Sequence, residues 1–465
     1  MDRENLNTDK VYDVAIIGGG IVGSGLFRDH ALNGKSSIII DQSDFNSQTS
    51  AGSSKMLHGG IRYLENLDFF LVFEALFEKN LWLKLAPHIT KEVPFYLPVY
   101  KSSKWPLLLM KIGLFIYDLL SLFKNTPHKT LNKRATLKKL PGLNAQDLTG
   151  CGMYFDAIVD DAKLGLECIY DGLLNPDCHA LNYHEVIKLE RVENIFLLTL
   201  KDTLTGSEQR IKAKNVIIAT GPFTDQTMTK LQLAWNPIIL PSKGSHLWLH
   251  KKSLQLKDAM VLQTKDGRII FVIPQRNAIL VGTTEIPLEQ NAEFKNIQPS
   301  DEEIEYLLAE VNNYFPENHV SKEDVLASFA AVRPLVKDGH SSSKISRKHK
   351  IYQPQENLYV ITGGKYTTFR KMAQELNIKL FKDMNWKYDK KLTLKPLRVT
   401  SVIEDPNVDQ ITEEALKRIS LLEFIRTKED LVERRLSLPS LAFVQKKSAL
   451  EQINKFDLES VRKTK

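Results

Sequence analysis

Apolar runs and their stops organise the chain. Val11–Ile17 is short, β-branched and halted by Gly18, the pattern of a buried strand. Ile21–Asn33 then carries apolar residues at helical spacing up to Gly34, and Ser36–Ile40 is a second buried strand, so a βαβ unit is predicted at once. Asn66–Leu85 predicts a long helix that ends before Pro87. Two later strands, Val216–Ala219 and Leu358–Thr362, run into glycines at Gly221 and at Gly363-Gly364. Between Pro237 and Pro287 the period changes to alternation, with Asp266-Gly267 as a hairpin turn. From Leu392 onward the pattern is charged and helical, with Thr427 and Asp430 placed to cap a helix.

The first turn reads Gly18-Gly19-Gly20-Ile21-Val22-Gly23, a G-x-G-x-x-G between strand and helix. Gly18 permits the tight turn, Gly20 lets the backbone approach a pyrophosphate, and Gly23 lets the helix pack on the sheet. Asp41, at the end of the second strand, is placed to accept from a ribose hydroxyl. A glycine-rich turn without a ligand is the competing reading, and the strand–helix–carboxylate context favours a bound dinucleotide. The downstream glycine-bearing strand ends imply an interrupted nucleotide domain, which suits FAD better than an exchangeable nicotinamide cofactor.

Composition narrows the class further. The chain has 465 residues, 43% hydrophobic and 26% charged, with 63 Lys+Arg against 56 Asp+Glu for a net charge of +7. That balance excludes a disordered tail, a collagen-like repeat and a polytopic membrane protein, and leaves room for two to four domains at roughly 100–200 residues each. The small basic excess gives no reason to expect nucleic acid. Cys151, Cys168 and Cys178 lack CxxC spacing, so a reducing compartment and no metal site are expected. Met1–Lys10 is polar and no apolar segment of signal-peptide type follows it.

Far more specific is Thr49-Ser50-Ala51-Gly52-Ser53-Ser54-Lys55-Met56-Leu57-His58-Gly59-Gly60-Ile61-Arg62-Tyr63-Leu64-Glu65. It resembles the FAD-dependent, quinone-linked glycerol-3-phosphate dehydrogenases. Matching motifs continue from Tyr12 to Gln374, among them Gly113–Asp118, Val159–Leu164, Ala219–Pro222, Lys243–His246, Val281–Thr284, Val332–Leu335 and Gly363–Lys371. The resemblance implies an α/β fold, α+β overall: a Rossmann-type FAD domain of the glutathione-reductase-like kind, a β-sheet substrate domain and a short helical C-terminal region. On this reading residues 11–90, 151–235 and 346–385 form the FAD domain, 91–150 a substrate- or membrane-facing insertion, 236–345 the substrate domain and 386–465 the tail.

The implied activity is oxidation of sn-glycerol 3-phosphate to dihydroxyacetone phosphate, with electrons passed to a membrane quinone. A phosphate dianion calls for fixed cations, and the resemblance places Arg62, Arg333 and Lys365 there, with Tyr63 and Tyr366 beside them. Taken bare, each cation reads as a solvated surface charge. His246 is the candidate base, Arg333 the alternative polariser of the hydroxyl, and Lys365 the third catalytic candidate. Flavin contacts are expected from Thr49, Ser50, Ser53, Ser54, Lys55, His58, Gly59, Gly221, Gly364, Lys365, Thr367 and Thr368, besides Gly18, Gly20, Gly23 and Asp41. Bare, Ser53–Lys55 reads as a polar loop with helix-cap serines.

Trp105–Phe123 is nearly all apolar, but Lys111, Asp118, Pro106 and Gly113 argue against a spanning helix. A core helix and an amphipathic face set into one anionic leaflet stay open as readings; the resemblance favours the second, and with it a peripheral site on the inner face of the cytoplasmic membrane. The C-terminal region is shorter than in the family, which puts acceptor docking and a homodimer in question. An oxidase yielding hydrogen peroxide, a different substrate for the same fold, and a flavin-binding protein without catalysis are the alternative functions.

Overall fold

The computed structural model describes residues 9–290, 292–337, 345–346, 348–402, 411–440 and 443–458. In the first of its two sheets the order is His349–Gln355, Leu358–Gly363, Glu208–Ile218, Val11–Ile17, Ser37–Ile40 and His179–Leu181. The last five of these run parallel, with Ile17 level with both Ile218 and Ile40. Their Val/Ile-rich runs are apolar on both faces, as strands covered on both sides must be. Val14 and Ile16 pack under the helices Ile21–Leu32, Asp161–Gly172 and Phe369–Asp383. Ala15 and Ile17 point the other way, into a cluster with Phe196 and Leu198 of an antiparallel meander. The parallel pairing brings the strand ends at Gly18, Ala219 and Gly363 to one edge, as the interrupted layout predicted.

The second sheet is antiparallel apart from one pair, Ala259–Gln263 with Thr90–Tyr100. In it Ile239–His250 is flanked by Val325–Lys337 and Ala278–Gly282. Asp266-Gly267 turns the hairpin into Ile269–Gln275, with Gly267 at φ +79°. Leu148–Val159 pairs along its length with Thr90–Tyr100 and takes Met56–Leu57 at its end, so the boundary expected between 150 and 151 falls inside a strand of this sheet.

Two expected helices are modified. The one predicted from Asn66 starts at Phe69, because Leu67 adopts a left-handed φ of +56° and Asp68 caps the Leu71 N–H. Leu107–Leu120 buries Leu114, Tyr117 and Asp118 but exposes Leu108, Leu109, Ile112, Phe115 and Leu119. Phe69, Phe70, Phe73 and Phe77 of the Phe69–Leu85 helix are exposed as well. No helix among the described residues is long and apolar enough to cross a membrane.

In the tail, Thr427 and Asp430 cap each other's backbone as predicted. Arg434 and Arg435 are buried against Asp44, three residues beyond Asp41. These two guanidiniums hold the Asp44 carboxyl, despite its burial, down at about 2 and tie the tail to the nucleotide half.

Candidate active site

The cofactor end is shaped by backbone. Gly18 sits at φ +108°, and a Cβ there would meet the Ala219 carbonyl oxygen at 2.5 Å. A Cβ on Gly23 would lie 1.9 Å from the Gly18 carbonyl oxygen, so helix and turn touch through main chain alone. Gly20 has an ordinary φ of −75°, and its missing side chain faces only the Ser50 hydroxyl at 3.1 Å. That hydroxyl accepts the Ile21 N–H at 2.8 Å, which fastens the 49–55 loop to the start of the helix. The Asp41 carboxylate accepts from Gly19 and Ser43 N–H groups, and its enclosure pushes it up to about 6.

A cavity of about 360 Å³ runs from this turn into the second sheet. Gly18, Gly20, Asp41, Thr49, Ser50, Ser53, Ser54, His58, Tyr63, Gly221, His246, Arg333, Gly364, Lys365 and Tyr366 line it. An adjoining cavity of about 200 Å³ shares Ser54, His58, Tyr63 and Arg333 and adds Arg62, Arg268 and Glu285. Gly23, Lys55, Gly59, Thr367 and Thr368 line neither cavity and support the walls from behind. Lys55 Nζ bonds the buried Asp161 at 2.6 Å, and Ser53 Oγ bonds the same carboxylate at 2.7 Å. Gly59 donates its N–H to Asp156, Thr367 Oγ1 accepts the His58 N–H, and Thr368 Oγ1 donates to the Lys365 carbonyl. Thr49 ties the loop to the second sheet through the Val332 carbonyl at 2.7 Å. The Tyr366 hydroxyl donates to the Asp161 carbonyl at 2.5 Å.

At the substrate end Arg333 Nη2 donates to Thr283 Oγ1 at 2.9 Å, and Nη1 lies 3.6 Å from Glu285. Lys365 Nζ stands 3.6 Å over the Tyr63 ring, where the ring's negative face supports the charge. His246 is buried, stacked on Phe329 and paired through Nε2 with Ser54 Oγ at 2.9 Å. Burial, and then the charges of Arg333 and Lys55, push its imidazole down to about 3.

Several contributors gave no signal in sequence. His184 and Val186 line the Asp41 end of the cavity from an edge strand. Arg268 reaches the smaller cavity from the hairpin, held by Asp266. Asp161 stands in a quoted motif, Val159–Leu164, yet its place as the anchor of Ser53 and Lys55 emerges only in three dimensions.

These features fit an extended dinucleotide: a glycine turn open at Gly20, a carboxylate at the far end, and the bare α-carbon of Gly221 with nothing within 4 Å of a Cβ built there. Fold and cavity together define a dinucleotide-dependent oxidoreductase whose second sheet closes over the reactive end. Residues 13–369 match the family of FAD dependent oxidoreductases. The aerobic glycerol-3-phosphate dehydrogenase of Bacillus subtilis is 33% identical over 383 residues, covering 81% of this chain and 68% of that protein. The probable mitochondrial glycerol-3-phosphate dehydrogenase of Caenorhabditis elegans is 35% identical over 392 residues, 80% of this chain and 53% of its own length. The chain thus spans about half the length of the mitochondrial relatives it matches. A solved Bacillus halodurans glycerol-3-phosphate dehydrogenase complexed with FAD superposes with a TM-score of 0.75 at 24% identity, over 98% of this chain and 95% of that one. The chain belongs to the FAD-dependent glycerol-3-phosphate dehydrogenase family, and FAD is its cofactor.

Proposed function

We propose that this protein oxidises sn-glycerol 3-phosphate to dihydroxyacetone phosphate and passes the electrons to a membrane quinone. The observation that supports this reading is the pair of adjoining cavities that share Arg333, Ser54 and His58, the larger lined also by Lys365 and the smaller by Arg62. Bound FAD supplies a two-electron acceptor for the C2 hydride. Arg333 and Arg62 hold the phosphate dianion, and Lys365, braced over Tyr63, adds the third cation. His246 Nε2 takes the C2 hydroxyl proton, with Ser54 Oγ linking it to the cavity. In the empty site His246 is a weak base. A phosphate dianion at Arg333 cancels part of the charge that depresses it, so substrate binding itself raises its basicity.

The exposed apolar faces of Phe69–Leu85 and Leu107–Leu120, with Lys104, Lys111 and Lys124 nearby, suit insertion into one anionic leaflet. On this reading the enzyme works peripherally on the inner face of the cytoplasmic membrane, within reach of a quinone. The test is anaerobic addition of glycerol 3-phosphate to the yellow holoprotein: the reading requires bleaching, and an unchanged spectrum rejects it. Colour returning with a water-soluble quinone supports the acceptor, whereas rapid return in air with stoichiometric peroxide makes the protein an oxidase. Sedimentation with anionic vesicles checks the membrane face, and recovery of all protein in the supernatant removes it.

A further inference from the structure

Glu303 opens the helix Asp301–Tyr314 and closes a capping box with Ser300, an ordinary structural duty. Its buried carboxylate does more. Oε1 accepts from Ser245 Oγ at 2.7 Å and from Thr284 Oγ1 at 2.7 Å, while Oε2 meets Lys243 Nζ at 2.6 Å. Ser245 directly precedes His246 on the strand Ile239–His250. Thr284 directly follows Thr283, and Arg333 bonds both the Thr283 hydroxyl and the Thr284 carbonyl. The Ser245 N–H also donates to Thr284 Oγ1 at 2.9 Å, so the two segments are cross-linked at this carboxylate.

We propose that Glu303 is a positioning residue of the reaction, setting His246 through Ser245 and Arg333 through Thr284. The inference rests on the function proposed above. Burial alone would raise the Glu303 carboxyl, but Lys243, the Ser300 N–H, Thr284 and Ser245 together hold it below the usual range, so the clamp is ionised. A neutral amide of the same size has one acceptor oxygen: turned toward the Ser300 N–H and Lys243 it keeps the capping box, but its NH2 group then faces Ser245 and Thr284, whose hydroxyls can no longer donate to it.

The experiment is steady-state kinetics of the holoenzyme with glycerol 3-phosphate and a dye acceptor. Glu303→Gln is expected to lose about 10- to 100-fold in kcat/KM with its flavin content kept, the scale of a small misplacement of reacting groups. Thr284→Val acts mainly on the Arg333 arm, although it also removes the acceptor of the Ser245 N–H, and should raise KM more than it lowers kcat. Ser245→Ala isolates the His246 arm and should lower kcat with KM nearly intact. If Glu303→Gln fails to fold, the two single-arm variants still decide. A fall in melting temperature with kcat and KM unchanged in all variants makes Glu303 structural only and overturns the proposal. Wild-type protein that does not turn over glycerol 3-phosphate overturns the function reading, and the positioning role with it; active wild type with unaffected variants overturns the positioning role alone.

Discussion

At the cofactor end, the crevice is shaped by glycines, backbone amides and one carboxylate lying between Gly18 and Asp41. At the substrate end it is shaped by side chains from distant segments, Arg62, His246, Arg333 and Lys365. Backbone needs no further support once a glycine lets it come close. Side chains do: Thr283 and Glu285 hold Arg333, the Tyr63 ring supports Lys365, and Ser54 holds His246. The first end therefore fails through sterics, abruptly, and the second through charge and alignment, by degrees.

The sharpest way to break the comparison is Gly23→Val. The new Cβ would sit 1.9 Å from the Gly18 carbonyl oxygen, a main-chain clash that no side-chain movement relieves. The purified protein should carry no flavin, measured as its visible absorbance relative to protein. A fully loaded variant would mean the turn tolerates displacement and the cofactor end is softer than its geometry implies.

Arg333→Gln tests the other end. Losing hydrogen bonds to a charged phosphate, each about 1.5–3 kcal/mol, should lower kcat/KM roughly 10²- to 10³-fold. Flavin content should stay at the wild-type level, because the cofactor turn does not depend on this side chain. Joint loss of flavin and turnover would show that the two ends are one cooperative unit.

The same contrast explains what could be read from sequence. The strand Val11–Ile17, its glycine turn and Asp41 are legible because about thirty consecutive residues carry every signal, and the structure returns that strand with the same bounds. The tail's Thr427–Asp430 cap is local in the same way. At the substrate end only the resemblance marked Arg62, Arg333 and Lys365, since one stands on a short helix, one on a strand of the second sheet and one just past a strand of the first, far apart in the chain. Lys55 is expected from the resemblance to contact the flavin, yet its ammonium is committed to Asp161. Glu303 had a visible spacing, Ser300-x-x-Glu303, but that spacing announces a helix start and says nothing of the strands it clamps. A residue with two duties shows in sequence only the one whose partner is near in the chain.

The smallest effect compares a buried histidine from each half. His30 stacks on Phe381 beneath the first sheet, and His246 stacks on Phe329 in the second. Burial is the largest cause in both, pushing His30 down to about 4 and His246 to about 3 from an ordinary 6.5. Because the folded values lie below the unfolded one, the unfolded chain binds protons between these limits that the folded chain refuses. Their contribution to stability is whole above about pH 6.5 and is lost as the pH falls toward 4 and then 3. The melting temperature should therefore decline across that range, and His30→Gln or His246→Gln should each flatten the decline. Only His246→Gln should also slow the bleaching by glycerol 3-phosphate. The dependence separates further with Arg333→Gln: removing that cation relieves the second cause at His246 and leaves His30 untouched, so the acid-side slope should shrink at one histidine alone. Equal slopes in the wild type and Arg333→Gln would mean that Arg333 has no share in the shift at His246. The substrate phosphate would then have no charge to cancel there, and the base would have to gain its strength elsewhere.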